Sequence, residues 1–145
     1  MAMKAKLTQL AGVMITASHN PKEDNGVKIV ECDGSMLQPE WEPLAEEIAN
    51  APDLRIALED LDSKRMTYGF LETIFHPSSL SRTCFAMDTR ETSPELLRAA
   101  MLGSELMGVK PTNFGLCTTP QLHWLVSQNL FRCDDVGLYT QYFKE

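Results

Sequence analysis

Ser18 is the residue whose type and position most favour chemistry. It lies in a polar loop at residues 17–21 (Ala-Ser-His-Asn-Pro), directly after a short apolar run at residues 12–16. A serine at a rigid strand end can present its hydroxyl to a cleft while neighbouring groups bind an anion. The residue types alone leave a simpler interpretation open, in which Ser18 only caps or closes a turn.

Short, mostly apolar segments that end in polar residues are predicted to be the strands that position such side chains. Asn25-Gly26 marks a tight turn between two of them, and Asn25 is expected to shape this turn rather than to touch a substrate. The predicted strands are residues 12–16, 27–30, 83–87 and 114–117.

Helices are predicted between and after these strands. Apolar residues recur at helical spacing over residues 41–49, and leucines suggest a second helix over residues 54–61. Residues 93–94 (Ser-Pro) combine a cap residue with a proline at the first helical position, which predicts a helix to about residue 108. Residues 118–120 (Thr-Thr-Pro) open a further helix in the same way.

The alternation of strands and capped helices indicates an α/β fold. We predict a three-layer α/β/α arrangement with a mostly parallel, mixed sheet in a single domain. In such sheets a ligand lies beyond the carboxyl ends of the strands. The polar loops should therefore meet there and bring Ser18, His19 and Arg90 close together.

Charge and cysteine content argue against several classes of function. Acidic residues outnumber Lys and Arg by 20 to 13, and the basic residues are scattered, so we expect no nucleic-acid partner. A small anionic substrate is compatible with local positive charge in one cleft. No segment is long enough to span a membrane. The widely spaced cysteines indicate reduced thiols in a cytoplasmic protein, without a zinc site.

Two motifs carry a resemblance to a known family. Residues 15–21 (Ile-Thr-Ala-Ser-His-Asn-Pro), followed by residues 24–28 (Asp-Asn-Gly-Val-Lys), are similar to the phosphoserine signature of the α-D-phosphohexomutases. Residues 88–90 (Asp-Thr-Arg) follow Ser18, whereas the comparable arginine motif precedes the serine in the glucose and mannose phosphate mutases. This order resembles the branch of the family that acts on acetylglucosamine phosphates, as do residues 116–123.

The resemblance implies an isomerase that interconverts N-acetylglucosamine 6-phosphate and 1-phosphate, on the route to UDP-N-acetylglucosamine. Phospho-Ser18 would donate its phosphate to the sugar, and the resulting bisphosphate would turn round and return the other phosphate. Lys28 and Arg90 match family positions near this centre and would orient phosphate or assist proton movement. His19 would bond the phosphate or brace the loop, and Mg²⁺ would bind a phosphate oxygen on Ser18.

The resemblance also implies that residues 1–145 are an incomplete first domain, matched best over residues 12–51 and 87–126, with the later family domains absent. The Asp-Gly-Asp loop that supplies the other magnesium ligands is among the missing parts, so we expect activity to need them. The chain would pack against those domains or against a full-length chain. Two alternatives stay open: a non-catalytic interaction domain, because missing segments would expose apolar surface and a sheet edge, and a fragment of a glucose or mannose phosphate mutase.

Overall fold

The computed structural model describes residues 10–65 and 82–129, and its strands form a single sheet. The strands are β1 (Leu10–Thr16), β2 (Gly26–Val30), β3 (Arg82–Met87) and β4 (Lys110–Leu116). Their order across the sheet is β2-β1-β3-β4. All of the predicted strands are present, with shifted ends.

Strand direction decides which loops share an edge of the sheet. β1 and β2 pair antiparallel, with Thr16 opposite Gly26. β1 pairs parallel with β3, and β3 pairs parallel with β4. The carboxyl ends of β1, β3 and β4 therefore lie at one edge, and the start of β2 returns from the same edge.

The helices connect and cover these strands. They are α1 (Glu42–Ala49), α2 (Leu54–Arg65), α3 (Ser93–Leu106) and α4 (Thr119–Ser127). A 3-10 turn at Pro39–Trp41 precedes α1, so Trp41 lies outside the α-helix and is 37% exposed. Within the described ranges, no helix has the length and apolar character needed to cross a bilayer.

Alternate side chains along the strands form a core on each face of the sheet, because neighbouring strand residues point to opposite faces. One face holds the buried residues Leu10, Met14, Cys84, Leu122, Leu125 and Val126, the last three of which belong to α4. The other face holds Ile15, Phe85 and Leu97, the last of which belongs to α3. The predicted three-layer α/β/α fold with a mostly parallel, mixed sheet is confirmed.

Two glycines allow α4 to approach the sheet closely. A Cβ placed on Gly12 of β1 would lie 2.8 Å from Cγ2 of Val126. Gly34 follows β2 with a φ of +84°, and a Cβ there would lie 2.6 Å from the carbonyl oxygen of His123 and 2.6 Å from Cβ of Ser127. Nδ1 of His123 lies 2.7 Å from the carbonyl oxygen of Gly34. The hairpin of β1 and β2 is thus fixed against α4.

Two predicted boundaries were wrong for physical reasons. β4 begins at Lys110 rather than at residue 114, and its first residues escaped prediction because they are polar and at most half-buried; only Phe114 in this strand is buried. The cap of α3 is Thr92, and Ser93 is the first helical residue. The Ser93 side chain is fully buried, and its hydroxyl donates to Oδ1 of Asp88 in the preceding loop.

Candidate active site

A cleft of about 640 Å³ opens at the sheet edge where β1, β3 and β4 end. The serine loop (residues 17–25, joining β1 to β2) supplies Ser18 and His19 to its lining, and Lys28 of β2 lies beside them. The arginine loop (residues 88–92, joining β3 to α3) supplies Arg90, and residues 116–121 form the third side. The structure therefore brings together Ser18, His19, Lys28 and Arg90, while their chemical roles stay predictions.

Ser18 is exposed in the cleft and has an unusual backbone. Its φ is +56°, in the left-handed region that non-glycine residues adopt uncommonly and at a cost of about 1–3 kcal/mol. The Ser18 amide donates to Oγ1 of Thr16 over 2.9 Å, and the Asn20 amide donates to the carbonyl oxygen of Ala17 over 3.0 Å. These two bonds make a tight turn that presents the Ser18 side chain to the cleft.

Lys28 is the cation nearest to the serine hydroxyl among the contacts of the described residues. It lies on β2 opposite Met14 of β1, two residue pairs inward from the end of the hairpin ladder at Thr16 and Gly26. Its Nζ donates to Oγ of Ser18 over 2.5 Å. A charge-assisted bond of this kind is stronger than a neutral one and stabilises negative charge on the acceptor. Lys28 can therefore stabilise an anionic oxygen or a phosphate at Ser18.

Arg90 contacts the backbone of the serine loop. Its Nη2 donates to the carbonyl oxygens of Ser18 over 3.0 Å and of Asn20 over 3.1 Å. Its Nη1 forms an ion pair with Oδ2 of Asp88. The guanidinium is thus held at both ends, with its positive charge beside the loop that bears Ser18.

Asp88 organises the arginine loop, and sequence reasoning did not select it. Its side chain is 16% exposed, and Oδ1 accepts hydrogen bonds from the amide of Arg90 over 3.0 Å and from the hydroxyl of Ser93 over 2.7 Å. Partial burial opposes ionisation, but hydrogen bonds from Ser93, Arg90 and Thr16 outweigh it and hold the pKa of Asp88 below its ordinary value. Asp88 is therefore a carboxylate at neutral pH.

Asn25 links the two loops at a second point. Its Nδ2 donates to Oγ1 of Thr92 over 2.8 Å and to Oγ of Ser93 over 2.9 Å. The prediction that Asn25 shapes the turn omitted this role. The sequence contains an Asn-Gly turn and a Ser-Pro helix start, but neither motif indicates that the two contact each other.

The third side of the cleft consists of the end of β4 and the start of α4. Oε1 of Gln121 accepts a hydrogen bond from the amide of Thr118 over 2.6 Å, which fixes the first turn of the helix as its Thr-Thr-Pro motif predicted. Cys117 lies in the cleft wall, and burial raises the pKa of its thiol. His19 is exposed at the opposite side.

The arrangement can support transfer of a phosphoryl group to and from a serine hydroxyl. Such transfer needs positive charge at the oxygen that gains and loses the group, and Lys28 provides it at Ser18. No cluster of three or more His, Cys, Asp or Glu side chains suited to hold a metal occurs in residues 10–65 and 82–129. A metal at this site would need the phosphate itself and groups beyond those residues as ligands.

Comparison with known proteins identifies a family. Residues 1–55 and 64–136 match the family described as phosphoglucomutase/phosphomannomutase, alpha/beta/alpha domain I. The phosphoacetylglucosamine mutase of Oryza sativa subsp. japonica is 43% identical over 120 residues, which are 79% of this chain and 20% of that protein. The Homo sapiens protein of the same name is 40% identical over 120 residues and is covered to the same extent, 20%.

Solved structures agree with these relatives. An N-acetylglucosamine-phosphate mutase, described as a member of the alpha-D-phosphohexomutase superfamily, superposes with a TM-score of 0.68 at 40% identity, over 81% of this chain and 25% of that chain. The Aspergillus fumigatus N-acetylphosphoglucosamine mutase in complex with GlcNAc-6P and magnesium gives a TM-score of 0.67 at 36% identity, over 83% and 21%. This chain thus spans a quarter or less of the length of these relatives.

Proposed function

We propose that this chain, which belongs to the phosphoglucomutase/phosphomannomutase family, carries the phosphoserine of a phosphoacetylglucosamine mutase at Ser18. The reaction would interconvert N-acetylglucosamine 6-phosphate and 1-phosphate through a sugar bisphosphate, as a step toward UDP-N-acetylglucosamine. The observation that carries the proposal is the 2.5 Å hydrogen bond from Nζ of Lys28 to Oγ of Ser18, inside a cleft at the carboxyl edge of the sheet.

The reaction consists of two phosphoryl transfers, one from Ser18 to the sugar and one from the sugar back to Ser18. A free sugar hydroxyl attacks the phosphorus of phospho-Ser18, the bond from phosphorus to Oγ breaks, and the proton of the sugar hydroxyl passes to water as the new bond forms. Oγ gains negative charge as it leaves, and the ammonium of Lys28 stabilises that charge and can return a proton. The bisphosphate then turns round, and Oγ attacks its other phosphate while its proton passes back to Lys28. The bond from that phosphorus to the sugar oxygen breaks, the sugar oxygen takes up a proton from water, and phosphoserine is regenerated.

His19 and Arg90 complete the proposed site. His19 lines the cleft beside Ser18, where its imidazole can donate a hydrogen bond to a phosphate oxygen. Arg90 adds positive charge beside the serine loop through its bonds to the carbonyl oxygens of Ser18 and Asn20. His19 is expected to affect binding of the phosphate, and Arg90 is expected to affect the charge and the orientation of the loop that bears it.

The proposed reaction includes magnesium, because the structure of an Aspergillus fumigatus relative was solved in complex with GlcNAc-6P and magnesium. The described residues fit the ion only in part: phosphate on Ser18 would supply an oxygen ligand, and no carboxylate cluster accompanies it. The ion would neutralise charge on the transferring phosphate. The remaining ligands would come from other domains, which would also bind the rest of the phosphorylated amino sugar.

Mass spectrometry of the intact 145-residue chain tests the proposal. Incubation with glucose 1,6-bisphosphate and magnesium should add one phosphoryl group to the wild type and none to Ser18→Ala. Lys28→Met should slow the addition, whereas Lys110→Met, a matched change at the exposed start of β4, should not. A wild-type chain that is folded and purified from its native source, yet never carries phosphate at Ser18, would contradict the proposal.

A coupled assay separates a complete activity from a partial one. Turnover of N-acetylglucosamine 6-phosphate by this chain alone, lost in Ser18→Ala, would show that these residues suffice. Phosphorylation of Ser18 without turnover would show that the other domains are needed, as the coverage of the relatives suggests. The relatives also favour acetylglucosamine over glucose or mannose as the sugar, and a cytoplasmic location stays a prediction.

A non-catalytic interaction domain is the second candidate. Large apolar side chains are exposed in the described part of the chain, among them Leu116 at the rim of the cleft (63%) and Leu106 at the end of α3 (78%), and a partner would cover them. Sedimentation equilibrium should then show association that Leu116→Ser weakens. A chain that stays monomeric at all concentrations and takes up phosphate at Ser18 would reject this candidate.

A further inference from the structure

We propose that Asp88 is a positioning residue that holds the serine loop in place for phosphoryl transfer at Ser18. The effect on catalysis rests on the proposed function. The support of the serine loop rests on the contacts of the arginine loop alone. Asp88 does not reach Oγ of Ser18 in any contact of the described residues; it acts through the side chains of Arg90 and Ser93.

The serine loop needs such a support because Ser18 has a strained backbone. A φ of +56° is disfavoured for serine and persists only where surrounding contacts over-determine it. The local bonds to Thr16 and Ala17 are those of a short turn and leave the carbonyl oxygens of Ser18 and Asn20 to be fixed from outside. Both of these oxygens accept from a single group, the guanidinium of Arg90.

Asp88 in turn fixes the guanidinium. Its Oδ2 pairs with Nη1 of Arg90 while its Oδ1 accepts the Arg90 backbone amide, so the residue is held by side chain and main chain together. An arginine side chain is otherwise flexible, and a planar guanidinium with a fixed orientation can aim its second nitrogen at two acceptors. Without the carboxylate, Nη2 would have no fixed direction toward the loop.

Ser93 extends the support to the other end of the serine loop. It is fully buried, its hydroxyl donates to Oδ1 of Asp88 over 2.7 Å, and its oxygen accepts from Nδ2 of Asn25 over 2.9 Å. Asn25 is the last residue of the loop, and Ser18 is near the start. The two oxygens of one carboxylate therefore connect to both ends of the loop, one through Arg90 and one through Ser93.

This arrangement assigns Arg90 a task different from direct phosphate binding. In the structure its Nη2 is committed to two backbone carbonyls and its Nη1 to Asp88, so its main contribution is to the orientation of Ser18. A displacement of about 1 Å at a reacting group can cost about 100-fold in rate. Asp88→Asn keeps the shape of the side chain but can place an amide donor against Nη1, and should release the clamp.

The experiment uses NMR spectroscopy and phosphoryl uptake on the full 145-residue chain. The ¹³Cα and ¹³Cβ shifts of Ser18 report its left-handed backbone, and hydrogen exchange of the Asn20 amide reports the turn. Asp88→Asn and Arg90→Lys should both move the Ser18 shifts toward extended values and speed Asn20 exchange. They should also slow phosphoryl uptake from glucose 1,6-bisphosphate by about 10- to 100-fold, and the double variant should be no slower than the worse single variant.

Matched controls separate positioning from general damage. Asp33→Asn alters another loop carboxylate that accepts a backbone amide, that of Ser35 over 2.8 Å. Arg98→Lys alters an arginine of α3 that bonds the carbonyl oxygen of Pro94. Both should leave the Ser18 shifts and the uptake rate unchanged. If Asp88→Asn does not fold, Arg90→Lys gives the same readouts with the carboxylate retained.

The outcomes distinguish the two proposals. Ser18 shifts that stay at left-handed values in Asp88→Asn and Arg90→Lys would overturn the positioning role, whatever the uptake rates are. Additive losses of rate in the double variant would also overturn it, since two residues that act through each other cannot lose independently. If the wild type takes up no phosphate, the proposed function fails, and the shifts alone then decide whether Asp88 holds the loop.

Discussion

Replacement of Gly34 by alanine tests whether the serine-bearing hairpin is fixed to α4 as the structure shows. Gly34 has a φ of +84°, and a Cβ there would lie 2.6 Å from the carbonyl oxygen of His123 and 2.6 Å from Cβ of Ser127. Neither atom belongs to the far end of a flexible side chain, so α4 or the hairpin would have to move. The cleft lies between these two elements, and both its shape and the stability of the chain should change.

The loss of unfolding free energy expected for Gly34→Ala has two causes, and alanine substitutions at two other glycines separate them. Alanine in a left-handed conformation costs about 1–2 kcal/mol, and overpacking costs about 1–3 kcal/mol, so Gly34→Ala should lose about 2–5 kcal/mol of unfolding free energy. Gly115 has a φ of +71° with nothing within 4 Å of a Cβ, and should show the backbone cost alone. Gly103 in α3 has open space and an ordinary φ, and its change to alanine should stabilise the chain by about 0.5–1 kcal/mol.

Urea denaturation of the full chain, followed by circular dichroism, measures all three variants. The order of stability should be Gly103→Ala, wild type, Gly115→Ala and then Gly34→Ala, with similar slopes against urea. A Gly34→Ala chain that loses no more than Gly115→Ala would refute the close contact between the hairpin and α4.

Further predictions concern the site and the core. The pKa of Asp88 is lowered in the fold, so its contribution to stability is present above its ordinary value of 3.8 and is lost as the pH falls through and below that value; the stability gap to Asp88→Asn in urea should therefore close in acid. Iodoacetamide should label Cys117 more slowly than exposed Cys32, as peptide mass spectrometry would show, because burial raises the pKa of the Cys117 thiol; equal rates would contradict this. Leu125→Ala, at a fully buried position of α4, should cost about 2–5 kcal/mol in the same urea assay, and a loss below 1 kcal/mol would mean that α4 does not cover the sheet.

The elements that position the site could be predicted from local patterns. Apolar runs gave the strands and the Thr-Thr-Pro start gave α4, because buried strands and helix starts depend on residues that are near each other in the chain. β4 begins earlier than predicted. Its first residues lie on a strand at the edge of the sheet and are not fully buried, so they lack the apolar pattern by which a strand is recognised. Ser93 was misassigned as a cap, because its partner Asp88 lies in the preceding loop and only the fold brings the two side chains together.

The sequence by itself determined the α/β alternation, the family and four of the residues that line the cleft, Ser18, His19, Lys28 and Arg90, since motifs and periodicity are written in short stretches of chain. Only the tertiary structure decided which atoms meet. Arg90 and Ser18 are 72 positions apart and Asn25 and Ser93 are 68 apart. Their hydrogen bonds exist because β1 and β3 pair in parallel, which brings the two following loops to one edge of the sheet. No local sequence pattern links residues that are so far apart in the chain. The role of Asp88 therefore became visible only in the fold.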